Sequence, residues 1–273
     1  MKSVFKKIIP PIFVDGLKLM KREHYGWFGN FKTWEEATKE STGYDQMEIL
    51  DKVKNSLLKV KNEEAVYERD SVIFDKIEYF WPLLGSLMFV AAKSNGKLNL
   101  LDFGGSLGST YFQNKRFLDQ LSDVSWSIVE QSHFVDIGKK EFGNDRLHFY
   151  DTITDCKTKK NPTIILLSSV IQYLEHPYKM LEEIVGQDFE FIIFDLTPFT
   201  VSDNDRITIQ KVSPAIYNAN YSCWLLSYTK FMAVLLKKYE MIEEFQSMKD
   251  FKINIENKFV ANYRGALLKK KNI

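Results

Sequence analysis

From about residue 97 onward, short apolar runs alternate with amphipathic stretches. Leu98–Leu101, Ser125–Glu130, Arg146–Asp151, Pro162–Val170 and Phe189–Asp195 each have the length of a strand. Runs apolar without interruption suit parallel strands covered on both faces. The stretches between them have the length of crossover helices, so this half reads as an α/β sheet. Residues 1–95 read as mostly helical. Thr33 is a plausible N-cap for Trp34–Lys39, with Glu36 three positions on. Met47, Leu50, Val53 and Leu57 recur at helical spacing. The apolar segment Tyr79–Ala92 is too short and too broken to span a bilayer, and predicts a helix kinked at Pro82. Beyond the fifth strand, Thr197–Tyr221 is polar and turn-rich, and Cys223–Tyr239 is helical in pattern. Tyr239–Phe245 and Phe259–Leu268 close the chain as an antiparallel pair at the sheet edge. The expected division is a helical extension or lid over 1–95 and a sheet domain over 96–273.

Composition narrows the class. The 273 residues are 45% hydrophobic with a net charge of +1. That sustains a sizeable core and gives no global electrostatic case for nucleic acid. Two cysteines, Cys156 and Cys223, match no metal or redox spacing, which fits a reducing cytoplasm. The histidines, His24, His133, His148 and His176, form no metal-ligand pattern, so no metal is expected. Lys2, Lys6 and Lys7 precede apolar residues as in a signal peptide, but lysines and the Pro10–Pro11 pair interrupt the run. The segment reads as a basic amphipathic arm. It either touches an anionic membrane surface weakly or packs on its own domain.

The chemistry gathers at the strand tips. Asp102 precedes a turn built from Gly104, Gly105, Ser106 and Gly108, where α/β proteins hold a nucleoside-bearing cofactor. The pyrophosphate pattern G-x-G-x-x-G is absent. The acid before the glycines suits an amino-acid ammonium group, which favours S-adenosylmethionine (SAM) over a dinucleotide. Glu130 ends the second strand, where a carboxylate can accept from two ribose hydroxyls. Asp151 ends the third and can accept from the adenine amino group, with Phe149, Tyr150 or Ile153 over the ring. Ser168 and Ser169 end the fourth, at the mouth of the same crevice, where they bind cofactor or cap the next helix.

These tips, together with Gly26-Trp27-Phe28-Gly29, Trp34-Glu35-Glu36-Ala37, Tyr67-Glu68-Arg69-Asp70-Ser71, Ser168–Leu174, and Asp205-Arg206-Ile207-Thr208 with Gln210, carry a resemblance. The chain resembles the class I SAM-dependent methyltransferases. Within them it is similar to a family associated with bacterial surface-polysaccharide (O-antigen and capsule) biosynthesis. The resemblance implies a Rossmann-like sheet, SAM as cofactor and a sugar or glycan acceptor. One departure is Ser106, which stands where many such enzymes have the central glycine of the turn.

Methyl transfer to a hydroxyl benefits from a general base. Asp195, ending the fifth strand, and His176, after the fourth, are the candidates; a loop role and a helix cap are the alternatives. Arg69, Tyr173, Arg206, Tyr217 and Tyr221 are candidates for holding the acceptor, arginine for an anionic group and tyrosine for a sugar face. Gly26–Gly29 forms a lid or a staple for the N-terminal helices. Two rivals stand beside this reading. A nicotinamide-dependent oxidoreductase would want pyrophosphate-spaced glycines and a proton relay. A non-catalytic methyltransferase-like module would need only the binding crevice. Nucleic-acid methylation lacks both a basic stripe and the Asn/Asp-Pro-Pro-aromatic motif. Oligomeric state is open.

Overall fold

The computed structural model describes residues 25–41, 46–69, 71–213, 216, 219–247 and 251–272. The N-terminal arm, Asp70 and Tyr217 lie outside them. The chain begins with β1 (Gly26–Phe31), α1 (Trp34–Glu40) and α2 (Gln46–Lys61), then β2 (Tyr67–Arg69), β3 (Val72–Phe74) and α3 (Trp81–Lys93). The alternating part follows: β4 (Lys97–Phe103), α4 (Ser109–Leu118), β5 (Asp123–Val129), α5 (Ser132–Ile137), β6 (Leu147–Tyr150), α6 (Ile153–Lys160), β7 (Ile164–Ser168), α7 (Pro177–Gly186) and β8 (Phe191–Thr200). It ends with β9 (Arg206–Lys211), β10 (Asn220–Ser227), α8 (Tyr228–Leu235), β11 (Tyr239–Gln246), β12 (Lys252–Ile255) and β13 (Lys258–Lys270).

Five strands pair in parallel in the order β6-β5-β4-β7-β8. β13 then runs antiparallel beside β8, with β11 antiparallel beside β13. Numbered along the core, the order is third, second, first, fourth, fifth, seventh, sixth. This is the Rossmann-like class I methyltransferase sheet, with the closing antiparallel pair where the sequence predicts it. The first strand has its successor on one side and the fourth strand on the other. The chain therefore leaves β4 and β7 in opposite directions and opens a crevice at their carboxyl ends.

Alternation along each core strand divides the apolar residues between two layers. Leu98, Leu100, Ile164, Leu166, Phe191 and Ile193 face one layer, packed with Leu50, Val53 and Leu57 of α2 and Leu83, Leu87 and Val90 of α3. Leu101, Ile165, Leu167, Ile192 and Phe194 face the other, with Leu181 and Ile184 of α7 and Phe231 of α8. Both faces of the sheet are thus buried, which is why these strands read as continuous apolar runs. Cys156 and Cys223 are buried, free, and in separate clusters. No helix among the described residues is long and apolar enough to cross a membrane.

The region before residue 95 departs from its helical reading. Gly26–Phe31, expected as a lid or a staple for the N-terminal helices, forms a strand, antiparallel to β9 and so part of the main sheet. Trp27 drives this: its ring is buried edge-on against Phe251 and Tyr263, from the far end of the chain. Tyr67–Arg69 lies in a two-stranded hairpin with β3 rather than on a helix. α3 has no kink at Pro82, because the proline falls in its first turn, where no N–H is needed. Thr197–Tyr221 contributes strands β9 and the start of β10, and Cys223 lies within β10 rather than a helix. Thr33 does cap α1, its Oγ1 accepting from the Glu36 N–H at 3.2 Å. Glu36 reaches back to the N–H of Lys32 at 3.0 Å, one residue earlier than a standard capping box.

Candidate functional site

The glycine turn begins where β4 ends. The Gly104 N–H donates to the Val129 carbonyl at 2.9 Å and ties the tips of β4 and β5 together. Gly104 has φ +73°, and a Cβ there would stand 2.4 Å from Val170 Cγ2, just past β7. A Cβ at Gly105 would stand 2.5 Å from Asp102 Cγ. At these two positions, glycine is required by the protein's own packing as much as by any approaching ligand. Ser106 adopts the left-handed region at φ +53°, so the serine keeps the turn's course against its steric preference. Gly108 then caps α4 in the left-handed region and without a side-chain bond, so the helix's first backbone N–H groups have no side-chain cap.

Two carboxylates border this turn. Glu130 accepts from the Gln131 N–H at 2.8 Å and from the Ser106 N–H, so the acid of the second strand reaches the glycine turn itself. Burial raises its pKa, and those two donors partly restore it. Asp102 is 2% exposed, with its carboxylate behind Gly105, and accepts from Trp126 Nε1 at 3.1 Å. Desolvation pushes its pKa up to about 7, against the tryptophan bond and with help from the Glu130 charge. Asp102 therefore lies beneath the turn, deeper than an acid placed for open contact with an ammonium group.

Asp151 follows β6 on the surface, 3.8 Å from Lys139 Nζ. Of the residues expected to cover adenine, Phe149 and Tyr150 are core side chains. Phe149 packs on Gly138, so Ile153, half-buried at the head of α6, is the one left in position.

β7 ends at Ser168, but β8 runs on to Thr200, so Asp195 lies within its strand and not at the end that the sequence predicts. Ser168 lies opposite Asp195 in register. The Ser169 N–H donates to the Asp195 carbonyl at 3.0 Å, and Ser169 is left-handed at φ +54°. Gln172 Nε2 donates to Ser169 Oγ and to the Leu196 carbonyl, both at 3.2 Å. The Gln172 side chain is fully buried and its Oε1 has no partner. Asp195 is 1% exposed; its carboxylate accepts from the Leu196 N–H at 2.7 Å and bonds the Ser247 hydroxyl. Burial lifts its pKa to about 6, while Ser247, Leu196 and the positive charge of Arg69 pull it down.

Arg69 and Asp195 are thus close enough for the charge of one to act on the other, though they lie far apart in sequence. Glu68 explains how. Its buried carboxylate accepts from Ser109 Oγ at 2.6 Å and from the Ser71 N–H at 2.7 Å. Ser109 is the first residue of α4, so the β2–β3 hairpin is pinned to the helix that leaves the glycine turn. Gln113 of α4 adds a bond to the Tyr67 hydroxyl at 3.0 Å. Tyr173 and Tyr221 also come together, ring centroids 5.1 Å apart and edge-on, with the Tyr173 hydroxyl donating to Gln210 Oε1 at 2.9 Å.

Two candidates are placed otherwise. Arg206 donates from Nε and Nη2 to the Gly29 carbonyl, at 3.0 and 2.8 Å. Its fork clamps β1 to β9, and an acceptor anion would have to compete with that clamp. His176 precedes α7 with its side chain 71% exposed, its Nε2 3.9 Å from Glu175. It lines an open groove with Tyr178, Lys179 and Trp224, none of them from the glycine turn. Its ring makes no capping hydrogen bond. Ser247 escaped the sequence reading: it meets Leu196, 51 residues earlier, only because β13 lies between β8 and β11.

No protein-family model and no curated protein matches this sequence. Among solved structures, the N-terminal domain of EvdMO1, crystallised in the presence of SAH and D-fucose, matches at 12% identity. The match covers 84% of this chain and 98% of that one, with a TM-score of 0.48. A SAM-dependent methyltransferase from Clostridium acetobutylicum matches at 12% identity over 71% of this chain and 93% of that one, TM-score 0.44. The 1,6-didemethyltoxoflavin N1-methyltransferase of Burkholderia thailandensis matches at 8% identity over 85% and 93%, TM-score 0.43. At that distance the likeness decides nothing about chemistry. The strand order and the crevice have to do so.

Proposed function

We propose that this chain is a SAM-dependent methyltransferase acting on a small-molecule acceptor. The observation that carries the reading is the pair of carboxylates at the glycine turn. Burial raises the cost of ionising both, and the Glu130 charge raises it further for Asp102. A cation at this turn relieves both acids, whereas a pyrophosphate would add like charge. That favours a sulfonium nucleoside over a dinucleotide. The residues fit such a group: Glu130 at the tip of β5 for the ribose, Asp151 and Ile153 for adenine, and Gly104–Gly108 with Ser168 and Ser169 along the methionine arm.

SAM, when bound, supplies a methyl group already activated on sulfur. The chain's residues have to orient the acceptor, exclude water and take a proton. Asp195 is the base in this reading. A pKa of about 6 leaves it ionised at neutral pH yet basic enough to take the proton of an acceptor hydroxyl. Leu196 and Ser247 hold its carboxylate in place. Arg69, Tyr173 and Tyr221 form the acceptor side, a cation and two rings suited to an anionic sugar. The sugar or glycan of surface-polysaccharide assembly rests on the sequence resemblance alone.

Transfer of labelled methyl from SAM into a glycan extract tests this. The wild type is expected to label a hydroxyl-bearing product, with the rate falling about tenfold per pH unit below about pH 6. Asp195→Asn is expected to lose about 100-fold or more in kcat, with SAM affinity retained. An Asp195→Asn enzyme of wild-type rate removes the base assignment. A wild type that binds SAM but labels nothing favours the non-catalytic module.

A further inference from the structure

The inward face of α3 is accounted for by Leu83, Leu84, Leu87, Val90 and Ala91. Its outward face runs Trp81, Gly85, Phe89, Ala92 and Lys93, all exposed. Trp81 is 63% exposed, more than any other large apolar side chain among the described residues, and Phe89 is 38% exposed. No acid occurs in α3. Gly85 at the middle of this stripe has no reason within the described fold: a Cβ built there meets nothing within 4 Å. Alanine would fit and would favour the helix. A bare α-carbon on an exposed helix face is useful where another backbone comes close from outside.

The stripe is also arranged about that glycine. Trp81 precedes Gly85 by one helical turn and Phe89 follows it by one. Opposite charges flank the stripe: exposed Glu78 in the extended segment before the helix, where Arg69 and Lys76 of its own chain also act on it, and Lys93 in the last turn, its Nζ 5.7 Å from the Phe89 ring centroid. An antiparallel copy crossing at Gly85 sets Trp81 against the second copy's Phe89, and Glu78 against its Lys93, twice over. Self-complementarity of this kind is what an isologous two-fold contact requires. A lipid surface would use the aromatic rings but not the bare α-carbon or the alternated charges.

We propose that the outward face of α3 is a homodimer interface, in which the α3 helices of two copies of this chain cross antiparallel at Gly85. Sedimentation velocity on the full chain tests it. The wild type is expected to dimerise at micromolar concentration. Trp81→Glu is expected to weaken the dimer about 30-fold or more, as for a central aromatic anchor. Gly85→Leu is expected to do the same with an unchanged far-ultraviolet circular dichroism spectrum. Lys93→Glu weakens the dimer, and Glu78→Lys combined with Lys93→Glu restores it. Because Cys156 and Cys223 are buried, Gly85→Cys is expected to oxidise to a covalent dimer while Ala92→Cys does not. A wild type that stays monomeric overturns the proposal, whether the stripe then meets residues 1–24 or a lipid surface. A dimer indifferent to Trp81→Glu and Gly85→Leu overturns it too, as does equal cross-linking at 85 and 92.

Discussion

Asp102 works against the stability of the fold that holds it. Its folded pKa, about 7, lies above the ordinary value of 3.8, so between those limits the folded state binds more protons than the unfolded one. Stability contributed at this position therefore falls as pH rises from about 4 to about 7, and is flat above. Each pKa unit is worth about 1.4 kcal/mol, so the ionised carboxylate costs a few kcal/mol at pH 8. Asp102→Asn keeps an acceptor for Trp126 Nε1 and removes the charge. Its melting temperature at pH 8 is expected to exceed wild type by about 2–4 °C per kcal/mol recovered, with a shallower decline between pH 5 and 8. Thermal scans over that range check it, and an unchanged slope would mean that Asp102 is not the titrating group. SAM affinity is expected to move the other way, because a cationic ligand gains from the charge that the fold resents. A side chain that lowers stability and raises affinity marks a site shaped for a ligand.

At the scale of elements, the β2–β3 hairpin is the part that couples sheet to site. Glu68 joins it to the head of α4 through Ser109, and Arg69 then bears on Asp195. Ser109→Ala leaves one oxygen of a buried carboxylate without that donor, at an expected cost of about 1–3 kcal/mol in a urea titration. If the hairpin loosens, Arg69 withdraws and the Asp195 pKa rises, so the acid limb of the rate profile is expected to shift to higher pH. The unchanged limb would separate hairpin from base. The strand tips were legible in sequence because each is local: an apolar run, then an acid or a small residue. Asp102, Glu130 and Ser168 follow from that grammar, whereas Asp195 lies within β8, which pairs with β13 as far as Thr200. β1 was not legible, since Gly26–Phe31 becomes a strand only by pairing with β9 and burying Trp27 beside Phe251 and Tyr263. The same holds for Ser247, delivered to Leu196 by strand order, and for Arg206, whose clamp on Gly29 joins adjacent strands from residues 177 apart in sequence.

At the scale of the whole molecule, one sheet separates two apolar layers and carries every strand tip of the site on one edge. Leu166 is fully buried at the centre of one layer, so Leu166→Ala is expected to destabilise by about 2–5 kcal/mol without a specific effect on ligand affinity. Chemical denaturation followed by titration of the folded fraction checks both halves. A cationic nucleoside is expected to occupy the crevice at the carboxyl ends of β4 and β7, beside Glu130. Isothermal titration calorimetry with SAM, with its demethylated product and with NADH tests that directly. The wild type is expected to bind the first two and not NADH, and Glu130→Ala is expected to lose about tenfold or more in affinity for both. A wild type that binds neither, or a Glu130→Ala chain that binds them as tightly as wild type, contradicts it.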